Sequence, residues 1–310
     1  MCIIISMDKD QSTDDVIDWI YYLGGKCKRY NVSNDIESQS LLLELTNFKN
    51  GESIEKGWIR KTGRFLLLDS YENFLSKECF ELSNYYFIEL GGVRNFILSQ
   101  NINWINDPKA LNMSKIEVLT NALKFNINVP RTFILNRKSE LQKIYNLFNG
   151  EIITKSLVDV TSILKNDGIY AAYTLKITQE NIDELPENFF PSLIQNCIDK
   201  EFEIRSFFLK GKFHSMAIFS QNDNQTKIDY RNYNYEKPNR CVPYKLPEQL
   251  EIKLMEFLNF CSITTGSIDL IKGKDGIFYF LEINQAGQFG MTSYPCNYKL
   301  EKLIANSLLN

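Results

Sequence analysis

The sequence predicts a mixed α/β (α+β) chain of more than one domain. Three observations carry that reading. At 310 residues the chain exceeds one small domain and suggests two or three packed units. It opens on a strand–helix–strand pattern, the start of a small α/β unit. From about residue 150 onward, short strands with alternating or continuous apolar patterns dominate.

In order along the chain, CIIIS is an apolar, β-branched run and predicts a buried first strand. In STDDVIDWIYYLG, Ser12 or Thr13 can cap a helix, Asp14 and Asp15 sit in its first turn, and Gly24 can end it. LLLELTN predicts another strand. The polar stretch KNGESIEKGWIRKTGRFLLLD, with Gly57, Trp58, Arg60 and Gly63, reads as a surface loop, and residues 72–100 read as helical. Asn106 and Pro108 mark a turn, Ser114 can cap a helix through LTNALKF, and Asn126 to Pro130 ends it before RTFIL resumes as a strand. The first domain boundary is placed near residue 112. EIITKSL, GIYAAYTLKI, SLIQNCI, EFEIRSFFLKG, KFHSMAIFSQ, GSIDLIKG and IFYFLEINQ are the later strands, with a hairpin turn at Gly211. A helix from Pro247 to Cys261 interrupts them, and YKLEKLIANSLLN predicts a closing amphipathic helix.

Composition removes several function classes. Hydrophobic residues make up 44%, enough for a sizeable core, and the net charge of -3 gives no basic footprint for nucleic acid. Cys2, Cys27, Cys79, Cys197, Cys241, Cys261 and Cys296 form no CxxC pair and are expected as reduced thiols of a cytoplasmic protein. His214 is the single histidine, which excludes a zinc site built on several histidines. Carboxylates, lysines, arginines and bound metal are then the expected carriers of chemistry. No apolar run approaches the roughly 20 residues of a membrane span, and the N-terminus is too short in its apolar part for a signal peptide.

The strongest signal lies near the C-terminus. Asp269 in GSIDLIKG and Glu282 with Asn284 in FLEINQ flank a natural hairpin turn, Gly273 to Gly276. Glu282 and Asn284 share a face, and Asp269 can join them. Three hard oxygen donors on an otherwise apolar sheet call for a partner, which magnesium on nucleotide phosphates supplies; the competing reading is the solvent face of a half-exposed hairpin. A second signal is a set of spaced cations, Lys115, Lys155, Arg205, Arg231 and Arg240, suited to a polyphosphate in a cleft. Each alone also reads as a snorkelling surface residue, Lys155 and Arg205 least so because their neighbours read as core. A third is SLIQNCIDKEFEIR, where backbone groups at Asn196 to Ile198 can meet an adenine edge and a nearby acid a ribose.

In this order the parts resemble the ATP-grasp superfamily: two lysines, Q-x-x-I-x-K-x-x-E-I-R, D-Y-R-N, an aspartate, then E-x-N. Within it the chain is most similar to the graspetide peptide maturases, relatives of the microviridin macrocyclases, and among them to the grasp-with-spasm type. STDDVIDWIYYLG, GWIRKTGRF, SMAIFSQNDNQTKIDYRNYN, PNRCVPYKLP, TGSIDLI, LEINQAGQF and PCNYKLEKLIA carry that likeness over nearly the whole chain.

The resemblance implies an N-terminal pre-ATP-grasp α/β domain over 1–111, a central ATP-grasp subdomain over 112–195 and a C-terminal antiparallel-sheet subdomain over 196–310. It implies that Lys115 and Lys155 touch ATP phosphates. Gln195, Asn196, Cys197 and Ile198 form the adenine hinge, and Lys200 or Glu203 lies near the ribose. Arg205 meets phosphate or an acyl phosphate. Asp229, Arg231 and Asn232 match the D-F-R-x-N stretch of related ligases, where the arginine stabilises the transferred phosphoryl group. Asp269, Glu282 and Asn284 hold Mg2+, two ions by the family's pattern. The sequence departs from that pattern twice: KSLVDVTSILKNDG lacks a glycine-rich lid, and the usual Asn-Pro after the metal glutamate is Asn284-Gln285. The implied activity is ATP-dependent closure of side-chain ester or amide macrocycles in a ribosomally made precursor peptide with a leader segment, by a homodimer. Neither nucleic acid nor membrane is expected as a partner. Another ATP-grasp ligase, adding amino acids to a protein or making small peptides, and a non-catalytic nucleotide-binding regulatory module are the alternatives.

Overall fold

The computed structural model describes residues 1–7, 10–31, 55–60, 85, 88–89, 92, 99, 101–108, 110–157, 162–165, 168–171 and 174–310. The expected strand LLLELTN lies outside them. So does most of the expected helix over 72–100, of which residues 85, 88, 89 and 92 are helical. None of the described helices is long and apolar enough to cross a membrane.

The chain divides into two compact units. The first comprises Met1–Leu111, Gln285–Ser293 and Lys299–Asn310. Its strands β1 (Cys2–Ser6), β2 (Cys27–Asn31), β3 (Lys56–Ile59) and β4 (Asn103–Trp104) form a parallel sheet in the order β2-β1-β3-β4. The β-branched run of β1 is buried along its whole length, as expected of a central parallel strand. Helix α1 (Gln11–Tyr22) packs against the closing helix α7 (Leu300–Leu309), with the Lys302 ammonium 4.8 Å from the Trp19 ring centroid.

Two expectations for this unit are corrected. Helix α1 begins at Gln11 with Asp10 at its cap position, ahead of Ser12 and Thr13. The Thr13 hydroxyl is spent elsewhere. It is buried, lies 2.7 Å from the Ser6 hydroxyl and donates to Asp10 Oδ2 at 2.8 Å. At the other end Gly24 does close the helix, with φ +78° and N–H bonds from Gly24 to Tyr21 O and from Gly25 to Ile20 O. The second correction concerns GWI, read as loop. Lys56–Ile59 is a strand paired in register with β1, and Trp58 and Ile59 are buried. Gly57 is there for close approach: a Cβ on it would lie 2.4 Å from the Trp104 ring.

The second unit comprises Asn112–Asn284 and Tyr294–Tyr298. Ser114 caps α2 (Lys115–Lys124) by accepting the Glu117 N–H at 3.2 Å. β5 (Thr132–Arg137), α3 (Lys138–Leu147), β6 (Ile152–Lys155), the β7–β8 hairpin (Ser162–Lys165, Gly168–Ala171), β9 (Leu175–Lys176), α4 (Gln179–Glu184) and β10 (Asn188–Asn196) follow. Four of these strands make an antiparallel sheet in the order β5-β10-β6-β9. One face is apolar: Ile152 and Ile194 join Leu141, Ile177 and Ile182 in a core beneath α3 and α4.

A five-stranded antiparallel sheet, order β13-β12-β11-β14-β15, completes the unit. Its strands are β11 (Lys200–Leu209), β12 (Lys212–Phe219), β13 (Arg240–Tyr244), β14 (Thr265–Gly273) and β15 (Phe278–Asn284), with α5 (Glu248–Phe260) between β13 and β14. Lys210 and Gly211 both have positive φ and turn β11 into β12 through two residues. α2 packs against β15, and Phe257 of α5 meets Phe280 edge-on at 5.5 Å. Helix α6 (Gly290–Cys296) carries Pro295.

Candidate functional site

The four-stranded and five-stranded sheets of the second unit each turn one face toward a shared cleft. On β6 and β10 the strand alternation decides which residues point there. Ile152 and Ile194 face the apolar core, so Ile153, Lys155 and Gln195 face the cleft, with Gln195 opposite Ile153 in register. From the five-stranded sheet come Asp269 of β14 and Glu282 of β15, which are direct partners across the two strands. The register then shifts: Leu270 pairs with Phe280, leaving Leu281 as an extra residue at a bulge. Leu281 and Glu282 both line the cleft as a result. The stretch Ile228 to Arg231 forms a further wall.

Each buried carboxylate has its own cation. Arg205 Nη1 donates to Asp269 Oδ1 and Oδ2 at 3.0 and 3.1 Å and to the Tyr230 hydroxyl at 2.8 Å. Glu282 lies 3.2 Å from Lys115 Nζ and 3.8 Å from Arg231 Nη1. Arg231 grips Asp229 with Nε at 2.9 Å and Nη2 at 2.7 Å. Glu203 accepts from the ammonium of Lys200 and, at 2.8 Å, from the Ser220 hydroxyl.

Burial and charge pull these groups in different directions. Burial pushes the Asp269 carboxyl above its ordinary value despite Arg205. Burial also acts to raise Glu282, but Lys155, Lys115 and Arg231 together hold it below the usual range. Burial lowers Lys155, with Lys115 and Arg231 adding to the effect against the attraction of Glu282. Burial raises Glu203, the bond to Lys200 notwithstanding. Burial thus disfavours the charged form of Lys155, and an anion bound beside it would offset that cost.

No protein-family model and no curated protein sequence matches the chain. Solved structures do. Macrocyclase MdnC from Microcystis aeruginosa MRC, bound with precursor peptide MdnA, aligns at 22% identity and TM-score 0.79 over 100% of this chain and 99% of that one. A RiPP-associated ATP-grasp ligase from Chryseobacterium gregarium, in complex with ADP and a leader and core peptide, aligns at 20% identity and TM-score 0.79 over 99% and 96%. A D-alanine–D-alanine ligase from Bacillus anthracis aligns at 15% identity and TM-score 0.60 over 100% and 96%. This chain has the ATP-grasp fold.

Within the ATP-grasp cleft, Lys155, Gln195, Asn196, Ile198, Lys200, Glu203, Arg231, Asp269 and Glu282 are all part of the lining. Lys115 and Arg205 reach it through Glu282 and Asp269. Three expected residues stand apart from the lining. Asn284 is one pair further along the face of Glu282, opposite Ser267. Asn232 is exposed, and its amide donates to the Gln225 carbonyl at 3.1 Å. Cys197 ties its N–H to the Glu151 carbonyl at 2.8 Å, and the Asn196 N–H is likewise spent on the Arg131 carbonyl. His214 lies elsewhere, on β12 against Tyr298. It borders a roomier concavity of about 690 Å³ whose rim carries Glu248, Glu251 and Glu256 of α5.

Sequence reasoning passed over Tyr230, Thr174 and Ser220. Tyr230 had a signal, being placed between Asp229 and Arg231. Thr174, whose N–H donates to Asp229 at 3.3 Å, and Ser220 had none.

Among the described residues, no group of three or more His, Cys, Asp or Glu side chains could hold a metal ion by itself. Two facing carboxylates, Asp269 and Glu282, with cations at hand fit a hard ion that completes its shell with phosphate oxygens and water. That is the binding habit of Mg2+, which is seldom caged by protein alone.

Proposed function

We propose that this protein is an ATP- and magnesium-dependent ligase that modifies a ribosomally made precursor peptide. An Asp or Glu side chain of the peptide attacks the γ-phosphorus of ATP, ADP leaves, and the carboxylate becomes an acyl phosphate. A Ser, Thr or Lys side chain of the same peptide then attacks the acyl carbon, phosphate leaves, and a side-chain ester or amide closes a ring. A leader segment of the peptide docks it on the enzyme.

One observation carries the reading: Lys155 and Arg231 line one cleft with Asp269 and Glu282, and Lys115 and Arg205 pair with those two carboxylates. Phosphoryl transfer needs little covalent help from protein. It needs in-line positioning and positive charge at the phosphate oxygens. Lys155 and Lys115 would hold phosphate oxygens. Arg231, anchored by Asp229, would follow the transferred group, while Arg205 stays paired with Asp269. Asp269 and Glu282, with Asn284 beside them, would hold magnesium, which supplies charge neutralisation between adjacent phosphates. The likeness to ligases described with ADP and with leader and core peptides supports the peptide as substrate.

The test is to incubate the full chain with ATP, magnesium and the precursor peptide encoded beside it. ADP release together with loss of one water per ring, read by mass spectrometry, is the expected result. ADP release with free amino acids alone would redirect the reading to a small-peptide ligase. Nucleotide binding without any ADP would leave a regulatory module.

A further inference from the structure

We propose that Cys2 and Cys27 form a modification site in the first unit, a thiol pair that a small-molecule disulfide converts to a Cys2–Cys27 disulfide. The two residues are direct partners across the adjacent parallel strands β1 and β2. Neighbouring strands run about 4.8 Å apart, inside the Cα separation a disulfide needs, and register partners project their Cβ atoms to the same side of the sheet. Both thiols are free, and their sulfurs are within hydrogen-bond reach of each other. The backbone already holds the spacing of the oxidised product.

The two sulfurs differ in the way a stepwise oxidation requires. Cys2 is 1% exposed, and its thiol lies 3.6 Å from the Lys26 carbonyl. The hydrogen bond with Cys27, then burial and the charge of Cys27, push Cys2 well above its ordinary value. Cys27 is half-buried at the end of the sheet order. The hydrogen bond from Cys2, helped by one from the Tyr21 hydroxyl, holds Cys27 below its ordinary value against the effect of burial. Cys197 and Cys241 are half-buried as well, but burial raises both. Of these three, Cys27 is the reachable thiolate, and Cys2 is the sulfur waiting behind it.

The chemistry then runs in two exchanges. The Cys27 thiolate attacks one sulfur of the small disulfide, a new S–S bond forms, the old one breaks, and a small thiolate leaves. Cys2 gives its proton to that thiolate and attacks the Cys27 sulfur. The second small thiolate departs and takes a proton from water. Two protein thiols are oxidised and one small disulfide is reduced to two thiols.

The experiment treats the native full chain with oxidised glutathione and maps the product by peptide mass spectrometry without reduction. The expected result is a loss of two hydrogens, about 2 Da, in a linked pair of peptides holding Cys2 and Cys27, reversed by dithiothreitol. Cys27→Ser should give no linked species, and Cys2→Ser should stop at a glutathione adduct on Cys27. The linked wild type should melt above the reduced one, because the bond restricts the unfolded chain. The wild-type map decides the matter even where a variant does not fold. A wild type that keeps glutathione on Cys27, or that reacts first at Cys197 or Cys241, overturns the assignment. So does a linked species that melts below the reduced protein, since the strands would then have to distort to form it. Neither nucleotide nor peptide enters the experiment, so its outcome is separate from that of the ligase reading.

Discussion

Arg205 and Asp269 are register partners on adjacent strands, and one guanidinium nitrogen donates to both carboxylate oxygens. The pair is buried and also carries the Tyr230 hydroxyl. A buried pair is weak evidence for stability as a pair, but breaking it leaves an uncompensated charge. Arg205→Ala is therefore expected to lose about 3–5 kcal/mol in urea unfolding. The double variant Arg205→Ala, Asp269→Ala should lose less than the two single losses added together, since it removes both charges. Strict additivity would show that the two side chains do not depend on each other.

Glu282 is the shared counter-charge of Lys115, Lys155 and Arg231. Glu282→Gln leaves three cations facing one another with less to hold them, at roughly 2 kcal/mol. An added polyanion should restore the balance. In differential scanning fluorimetry without magnesium, tripolyphosphate should raise the melting temperature of the variant more than that of the wild type. Magnesium-dependent gain in nucleotide affinity should fall in the same variant. Equal tripolyphosphate shifts in the two proteins would contradict the charge account.

Asp229 gives a prediction in pH. Burial acts to raise its carboxyl, but the bonds from Arg231 and the N–H of Thr174 prevail and hold it below the ordinary 3.8. A depressed carboxyl stabilises the fold fully above its unfolded value and loses that contribution as pH falls through the folded one. Asp229→Asn should thus melt well below wild type at neutral pH, by about 2–3 kcal/mol. The gap should close as the pH drops below 3.8. A gap independent of pH would mean that the variant acts through packing alone.

These residues also mark how far the sequence could be read. Lys155 was legible because it ends an apolar strand whose neighbours read as core, whereas Gln195 was named only through the resemblance. Asp269 and Glu282 were legible because a Gly-rich turn fixes the two strands as a hairpin, which makes direct opposition possible. The bulge at Leu281 was not, since one extra residue leaves no mark in composition. Gly57 misled for a related reason. Glycine with tryptophan and arginine nearby looks like loop chemistry, and the Trp104 ring that demands a missing Cβ comes from far along the chain. Asn232 matched a motif by order, but the chain turns its amide toward Gln225. Tyr230, two residues earlier, makes the buried contact instead.

Gly266 shows how the end of β15 depends on a missing side chain. A Cβ there would lie 2.9 Å from Ile283 Cδ1 and 3.1 Å from the backbone oxygen of Asn284. The isoleucine tip can rotate away, but the carbonyl moves only if the backbone beside Asn284 moves. Gly266→Val, with a branched and stiff side chain, should therefore displace that strand end and lose about 1–3 kcal/mol. It should also weaken nucleotide binding in the presence of magnesium more than in its absence. Gly211→Ala is the control. Its φ of +85° is strained for alanine, but nothing lies within 4 Å of the added Cβ. That variant should lose about 1 kcal/mol and leave nucleotide affinity unchanged with or without magnesium. If Gly266→Val and Gly211→Ala behave alike toward magnesium nucleotide, the end of β15 has no part in holding the ion.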